Sequence, residues 1–191
     1  EVLGALGNRE LDWLTDASLC ELVDYILDKH HLYTKEEIEQ LTPLMAKVAS
    51  RHGEHNPNLF ELKTVFQNIC DDLGPHMMKE EMVLFPYIRE LETNFSRQIS
   101  GATPPFGTVQ NPVRMMRIEH EEVGELLVKM RAVTNDYTLP DGACPSFTAL
   151  YHRLAEFEAD LHQHIHLENN ILFPKAVEME KELNAPSCSL S

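Results

Sequence analysis

The sequence lacks the features of several large protein classes. In 191 residues no apolar run approaches the roughly 20 residues that a membrane helix needs, and no basic stretch followed by an apolar one suggests a secretion signal. Basic residues are scarce: 16 Lys and Arg stand against 31 Asp and Glu, a net charge of −15, which argues against nucleic acid or an anionic membrane as a partner. We therefore expect a soluble, cytoplasmic protein.

The sequence also lacks close cysteine pairs and strand-like segments. Cys20, Cys70, Cys144 and Cys188 form no C-x-x-C motif, so they predict neither a zinc site nor a disulfide framework, and we expect Cys144 to be inert. No segment shows the alternation typical of a β-strand. What is plentiful is hydrophobic residues, at 43%, and histidine, with ten copies. These numbers predict one domain with a substantial core.

Four segments have the apolar spacing of long amphipathic helices, over about residues 18–51, 58–93, 113–130 and 146–183. Asp16 or Ser18 offers an N-cap for the first helix, with Glu21 as the reciprocal partner of Ser18. Three connections join the helices, which predicts an all-α, antiparallel up-down-up-down four-helix bundle over residues 18–183.

Two flanking segments are expected outside this bundle. Residues 1–17 form a lead-in segment, which we interpret as the remainder of a longer N-terminal region because the chain begins at Glu1 rather than Met. Residues 184–191 are small and polar, and we expect them to form a flexible tail.

One sequence motif occurs twice in the chain. Residues 76–86 and 164–174 both fit H-x-x-x-E-x-x-[VI]-L-F-P, at an offset of 88 residues. Four residues are about one helical turn, so the His and Glu of each copy share one face of a helix. A surface ion pair would explain a single copy, but the repeat favours two halves of one metal site.

Both His/Glu pairs interrupt apolar stripes instead of lying among polar residues. The first stripe is Leu62, Phe66, Ile69, Leu73, His76, Glu80, Val83, Tyr87 and Leu91, and the second is Leu150, Leu154, Phe157, Leu161, His164, Glu168 and Ile171. A carboxylate buried in such a stripe is costly unless it is paired or bound to a cation. A metal ion between the helices would remove that cost.

One histidine on each helix lies in or beside an apolar stripe: His31, His76, His120 and His164. In an antiparallel hairpin, two residues lie at the same height when the point halfway between them falls at the turn. Halfway between residues 31 and 76 is 53.5, between 76 and 120 is 98, and between 120 and 164 is 142, each in a predicted connection. We therefore expect the four histidines in one layer, with Glu80 and Glu168 about 6 Å further along the axis. This argument does not separate His30 from His31.

Four imidazoles with two carboxylates suit iron, and also zinc or manganese. The two glutamates come from different helices and are placed to bridge two metal ions, which leaves two histidines for each. Six protein ligands do not saturate two irons, so we expect a bridging oxygen, as Fe–O–Fe or Fe–OH–Fe, and an open position for a small molecule. The histidine-rich set favours diatomic-gas or redox chemistry over iron storage. A helical bundle whose site is empty or holds zinc is the structural alternative.

Further motifs on all four helices accompany the repeat. They are Asp24-Tyr25-Ile26 through His30-His31, Lys47-Val48-Ala49 with His52-Gly53, His76-Met77-Met78-Lys79-Glu80-Glu81 with Leu84-Phe85-Pro86, Glu119-His120-Glu121-Glu122 with Gly124-Glu125-Leu126-Leu127, and His164 with Leu167-Glu168-Asn169-Asn170. Together they resemble the hemerythrin-like domain of the Repair of Iron Centers family over about residues 12–180. The resemblance implies two iron ions held by His31, His76, Glu80, His120, His164 and Glu168, and it favours His31 over His30 as the ligand.

The resemblance also implies a function. Members of that family are bacterial stress-response proteins that restore iron–sulfur clusters after nitrosative or oxidative damage. We expect iron donation to damaged iron–sulfur proteins, reduction of nitric oxide to nitrous oxide at the di-iron site, or both; reversible binding or sensing of O₂, as in hemerythrin, is the alternative. Members often carry a small N-terminal domain with a cysteine motif, and residue 1 lies after the place where that domain would sit.

Three of the residues that neighbour predicted ligands in the sequence are candidates for an outer role: His30, Glu119 and Glu121. We expect His30 to lie behind the ligands, where a hydrogen bond could orient one of them. For Glu119 and Glu121 a similar role, or a proton-carrying one, is a hypothesis, because neighbouring positions on a helix point in different directions.

The remaining histidines are not expected to share the site. His52 lies 21 residues beyond His31, about 30 Å along a continuous helix, and suits the negative end of the helix dipole. His162 and His166 each lie two residues from His164, so we expect them to face away from it, on the surface.

Overall fold

The computed structural model describes residues 13–99, 101 and 103–185 of the chain. Most of the predicted lead-in segment and of the predicted tail therefore lies outside the described residues. Within the described part, four long helices account for most of the chain and no strand occurs, so the predicted all-α helical bundle is confirmed. A single helical turn at residues 13–16 precedes the first long helix.

Three of the four long helices contain a short π-helical segment. Helix α1 (residues 19–52) consists of Leu19–Tyr25, the π-helical Ile26–His31 and Leu32–His52. Helix α2 (residues 58–97) consists of Asn58–Lys79, the π-helical Glu80–Leu84 and Phe85–Arg97. Helix α3 is Gln110–Val133. Helix α4 (residues 145–184) consists of Pro145–Leu167, the π-helical Glu168–Leu172 and Phe173–Asn184.

The start of α1 follows from local sequence. Ser18 is the N-cap: its hydroxyl accepts the backbone N–H of Glu21 at 3.2 Å, and the Glu21 carboxylate accepts the Ser18 backbone N–H at 2.8 Å. These reciprocal bonds satisfy two donors that the helix itself leaves unpaired. The predicted Ser18 cap is confirmed.

The helices pack so that a polar layer lies between two apolar clusters. Helix α1 packs on α2 and α4, α2 packs on α3, and the C-terminal parts of α2 and α4 pack on each other. One apolar cluster is built from residues 41–49, 59–77, 123–130 and 147–161, and the other from residues 14–26, 84–91, 109–116 and 167–176. On α1, α3 and α4 the predicted site histidine stands in the chain between residues of the two clusters, and on α2 His76 directly precedes Met77, the last residue of the first cluster. The core itself therefore holds the site.

The π-helical segments change which residues face the core after each glutamate. The backbone N–H of Phe85 bonds to the carbonyl of Glu80, and that of Phe173 to Glu168, five residues back instead of four. A proline follows each phenylalanine; it has no N–H, and its ring would clash with the carbonyl four residues earlier in a regular helix. The extra residue per turn shifts the helical phase downstream.

Because of this shift, the predicted apolar stripes are wrong at Val83 and Ile171. Val83 is 48% exposed and Ile171 is only partly buried, whereas their neighbours Leu84 and Leu172 are buried. Regular 3.6-residue periodicity placed the wrong residue in the core at both points, because a π turn occupies both.

A carboxylate from α4 caps the start of α3. Glu180 is 7% exposed, and its oxygens accept the backbone N–H of Val109, the N-cap residue of α3, at 2.8 and 3.1 Å. The Tyr87 hydroxyl donates to the same carboxylate at 2.5 Å. Partial burial and this carboxylate raise the pKa of Tyr87. An anion here complements the positive end of the helix dipole and ties α2, α3 and α4 together.

Replacing Glu180 by alanine is expected to destabilise the fold by about 1–3 kcal/mol, because a buried backbone N–H loses its acceptor. For a chain of this size that corresponds to a fall of about 5 °C in Tm. Glu178→Ala is the matched control: its side chain is 64% exposed and pairs with Lys181 at 3.5 Å, so Tm should stay close to wild type. Thermal melts followed by circular dichroism would contradict the assignment if both variants melted alike.

Candidate metal centre

The six predicted ligands meet in the centre of the bundle. Each is at most 5% exposed, and they come from all four long helices: His31 from α1, His76 and Glu80 from α2, His120 from α3, and His164 and Glu168 from α4. His30, which the spacing could not separate from His31, is not among them. Burial of two carboxylates without a compensating charge would be very costly, so this layer needs positive charge.

The donor atoms fall into two sets that share both carboxylates. Donor group 1 is His31, His164, Glu80 and Glu168; donor group 2 is His76, His120, Glu80 and Glu168. Within each group the donor atoms lie within 4.8 Å of one another. Both groups meet the requirement for holding a cation.

Each glutamate directs one carboxylate oxygen toward each donor group. Glu80 Oε2 lies 3.4 Å from His31 Nε2, and Glu80 Oε1 lies 3.4 Å from His76 Nε2. Glu168 Oε1 lies 3.1 Å from His164 Nε2, and Glu168 Oε2 lies 3.1 Å from His120 Nε2. This arrangement is that of two carboxylates able to bridge two cations.

Partners outside the cluster fix the tautomers of three histidines. His31 Nδ1 lies 2.8 Å from Glu81 Oε1, His76 Nδ1 lies 2.8 Å from Glu119 Oε2, and His120 Nδ1 lies 3.2 Å from Asn169 Oδ1. Because a carboxylate or amide oxygen accepts, each Nδ1 carries the proton it donates, and each neutral ring turns the lone pair of Nε2 inward.

The inward lone pairs have too few donors to satisfy them. His76 Nε2 and His120 Nε2 lie 3.0 Å apart, so two acceptors face each other when both rings are neutral. Among the described residues, His31 Nε2, His164 Nε2 and all four oxygens of Glu80 and Glu168 are buried without a hydrogen-bond partner. Buried polar atoms are almost always satisfied. A cation in each donor group satisfies them all, so the residues present fit a metal ion, and imidazole with carboxylate suits iron, manganese or zinc.

Protonation of histidines is the other way to supply positive charge. Burial alone would lower the pKa of His76, but the adjacent Glu80 carboxylate, with the charge of Glu168 and the hydrogen bond to Glu119, outweighs it and raises the pKa to about 9. The pKa of His31 is raised for the same reason. Burial alone would raise the pKa of Glu168, yet the charges of the adjacent His164 and His120 rings hold it well below its usual range. Protons therefore compete with a metal ion for this layer.

Lysines anchor the outer carboxylates. Lys35 Nζ donates to Glu81 at 2.6 Å, and Lys79 Nζ donates to Glu119. Partial burial would raise the pKa of both carboxyl groups, but these bonds and the histidines lower it. Both carboxylates therefore stay charged while they hold a ligand ring.

The sequence identified only part of this outer set. Glu119 holds His76, whereas Glu121 is exposed, so the hypothesis of an outer role fits the first and not the second. Glu81 and Asn169 were missed. Each stands directly after a shared glutamate, and a residue one step along a helix from an inward-facing position faces the neighbouring helix. That position is the signal that could have found them.

His30 contacts the cluster without joining it. It is 2% exposed, its ring stacks on that of His164 at 5.5 Å with an interplanar angle of 5°, and its Nδ1 lies 3.0 Å from Asp160 Oδ1. The expected hydrogen bond from His30 to a ligand is replaced by this stacking.

The other histidines lie elsewhere. His52 Nε2 is 3.0 Å from Cys144 Sγ, at the opposite end of α1 from the cluster. His162 is 59% exposed beside Glu158, and His166 is exposed on the surface of α4. Cys144, expected to be inert, is the N-cap residue of α4, and bonds from the backbone N–H of Phe147 and Ser146 and the charge of Arg51 lower its pKa.

Among the described helices, none is both long and apolar enough to cross a membrane.

Comparison with known proteins agrees with the geometry. Residues 22–176 match the hemerythrin HHE cation binding domain. The chain is 35% identical over 170 residues to a probable iron-sulfur cluster repair protein of Haemophilus influenzae, covering 89% of this chain and 70% of that protein. It is 37% identical over 178 residues to the iron-sulfur cluster repair protein YtfE of Dickeya chrysanthemi and 35% identical to that of Musicola paradisiaca, in both cases covering 93% of this chain and 74% of the relative. The chain therefore belongs to the hemerythrin HHE cation-binding family and, within it, to the iron-sulfur cluster repair proteins.

Proposed function

We propose that this chain is a non-haem di-iron protein that takes part in the repair of damaged iron–sulfur clusters. The observation that carries the proposal is the pair of donor groups, which share two buried carboxylates whose four oxygens have no other partner among the described residues. The names of the relatives support the process, because they are iron-sulfur cluster repair proteins.

In this proposal each donor group holds one iron ion. His31 and His164 would hold the first and His76 and His120 the second, with Glu80 and Glu168 within reach of both. Iron bound here supplies either a transferable ion or two adjacent redox centres. Glu81 and Glu119 keep the Nδ1 proton on His31 and His76, which leaves Nε2 of each ring as the ligand atom.

Two activities follow from such a site. Iron donation treats the ions as cargo, with a damaged iron–sulfur protein as the acceptor. Nitric oxide reduction needs two NO molecules side by side, since two NO, two electrons and two protons give one nitrous oxide and one water. The closeness of the two donor groups favours this second activity, with NO as the diatomic partner. A cytoplasmic location stays a prediction.

The deciding experiment uses anaerobic protein loaded with iron and kept ferrous by an excess of an electron donor, to which NO is added. Nitrous oxide and iron released per chain are measured, the latter with and without an apoprotein acceptor of an iron–sulfur cluster. Nitrous oxide over several turnovers supports reduction, and iron appearing in the acceptor supports donation.

Two other outcomes would count against the proposal. A stable nitrosyl adduct, with neither gas nor iron release, would favour a hemerythrin-type carrier or sensor, and reversible O₂ binding by the reduced protein would strengthen that alternative. Failure to bind iron at all would leave a structural bundle or a zinc protein.

A further inference from the structure

The residues that accept hydrogen bonds from the Nδ1 atoms of the histidines occupy equivalent positions in the two halves of the centre. Glu81 comes directly after Glu80 and accepts from His31, while Asn169 comes directly after Glu168 and accepts from His120. One residue beyond each shared glutamate therefore holds a histidine of a neighbouring helix. The two halves of the centre correspond here, except that one acceptor is a charged carboxylate and the other a neutral amide.

The residues directly before His120 and His31 do not follow such a correspondence. Glu119 comes directly before His120 and accepts from His76 Nδ1 at 2.8 Å. The corresponding residue, directly before His31, is His30, and it stacks on the His164 ring without a hydrogen bond between them. His164 Nδ1 is buried and has no hydrogen-bond partner among the described residues.

The two donor groups therefore differ in how firmly their imidazoles are held. Both histidines of group 2 donate through Nδ1, one to a carboxylate and one to an amide oxygen. In group 1 only His31 does so. A partner on the far nitrogen orients a ligating imidazole and raises its basicity, and losing it typically lowers metal affinity by about 10–100-fold.

A residue that stacks on group 1 also lines a surface pocket. A cavity of about 360 Å³ is lined by Trp13, Tyr25, Lys29, His30, Asp160 and Gln163. His30 lines this cavity and stacks on His164, so its ring contacts both the pocket and donor group 1. The buried atoms His30 Nε2 and Asp160 Oδ2 have no hydrogen-bond partner among the described residues. Each has a lone pair that could coordinate a cation.

We infer that the two iron positions are unequal and that the ion between His31 and His164 is the one released first. The inference rests on the proposed function, since it requires that both groups hold iron. It deepens that function by naming the position from which iron is given away.

The test measures iron leaving the anaerobic ferrous protein when an excess of the chelator ferrozine is added. Wild type should bind two ions and lose them in two phases of one ion each. Because the two donor groups share both carboxylates, ions at two equal positions would also leave one after the other. The variants therefore assign each release phase to a donor group. Glu119→Ala should accelerate only the slow phase, by about 10–100-fold, and Glu81→Ala only the fast phase.

Two further measurements keep the test decisive. Glu119→Gln and Glu81→Gln preserve side-chain shape and replace the alanine variants if those fold poorly. Anomalous diffraction from protein depleted of one ion should show the remaining iron between His76 and His120.

Each contrary outcome has a distinct meaning. Iron remaining between His31 and His164, or acceleration of the fast phase by Glu119→Ala, overturns the inference and leaves the proposed function intact. Release of both ions in a single phase does the same. Binding of fewer than two ions by wild type overturns both.

Discussion

Replacing Glu80 by alanine is expected to abolish stable binding of both metal ions. One oxygen of Glu80 faces His31 and the other faces His76, so the substitution removes one of four protein donors from each group at once. Loss of an outer partner already lowers metal affinity by about 10–100-fold, and loss of a direct donor should exceed that range. Glu168→Ala should behave in the same way, since its oxygens face the other two histidines.

The measurement is iron per chain after anaerobic reconstitution and removal of excess metal. We expect two ions for wild type, fewer than one for Glu80→Ala, and about one for His31→Ala, which leaves donor group 2 complete. His52→Ala is the control, because its ring contacts Cys144 and Phe147 away from the cluster. Loss of iron from His52→Ala together with two ions in His31→Ala would show that the histidine layer is wrongly placed.

The centre could be predicted from sequence because two independent regularities coincide. The repeated His/Glu motif supplies four of the six residues. Equal heights across the three connections add His120 and either His30 or His31, and the family resemblance favours His31. Both arguments need only helical geometry and short turns, which amphipathic spacing indicates well. Whether metal ions bind these six residues stays a prediction until iron is counted.

The parts that could not be predicted depend on which helix lies beside which. Glu81 and Asn169 look like ordinary surface residues in a helical pattern, and their roles become visible only once a histidine of the adjacent helix is placed. Glu180 caps α3 from a point 71 residues away in the chain, a contact that no local pattern encodes. Val83 was misplaced because a π turn alters the period, although the Phe-Pro that follows each turn is a usable signal.

Stability of the metal-free and metal-bound proteins should respond to pH in opposite ways. In the metal-free protein, the raised pKa of His76, about 9, and the raised pKa of His31 mean that folding favours their protonated forms. Their contribution is fully present below the unfolded value of about 6.5 and is lost as pH rises through about 9. The lowered pKa of Glu168 contributes above about pH 4.5 and is lost at lower pH. The metal-free fold should therefore be most stable between about pH 4.5 and 6.5.

Metal binding reverses the upper part of this profile. A cation can bind His76 and His31 only after the Nε2 proton of each ring leaves, so its affinity should rise with pH up to about 9, by about tenfold per pH unit for each proton displaced. A ligand present at about 1,000 times its Kd adds about 4 kcal/mol, which for a chain of this size is about 10 °C in Tm. The rise in Tm caused by metal should therefore be small near pH 6 and large near pH 8.5.

Thermal melts with stoichiometric Zn²⁺, which needs no reductant, and with a chelator would measure this difference at both pH values. Glu80→Ala is the matched control, since a variant that holds metal weakly should show little metal-dependent rise at either pH. A rise in wild type that is equal at the two pH values would mean that metal displaces no protons. The charge of the buried glutamates would then be balanced in some way other than by His31 and His76, and the competition between protons and metal inferred from the geometry would be wrong.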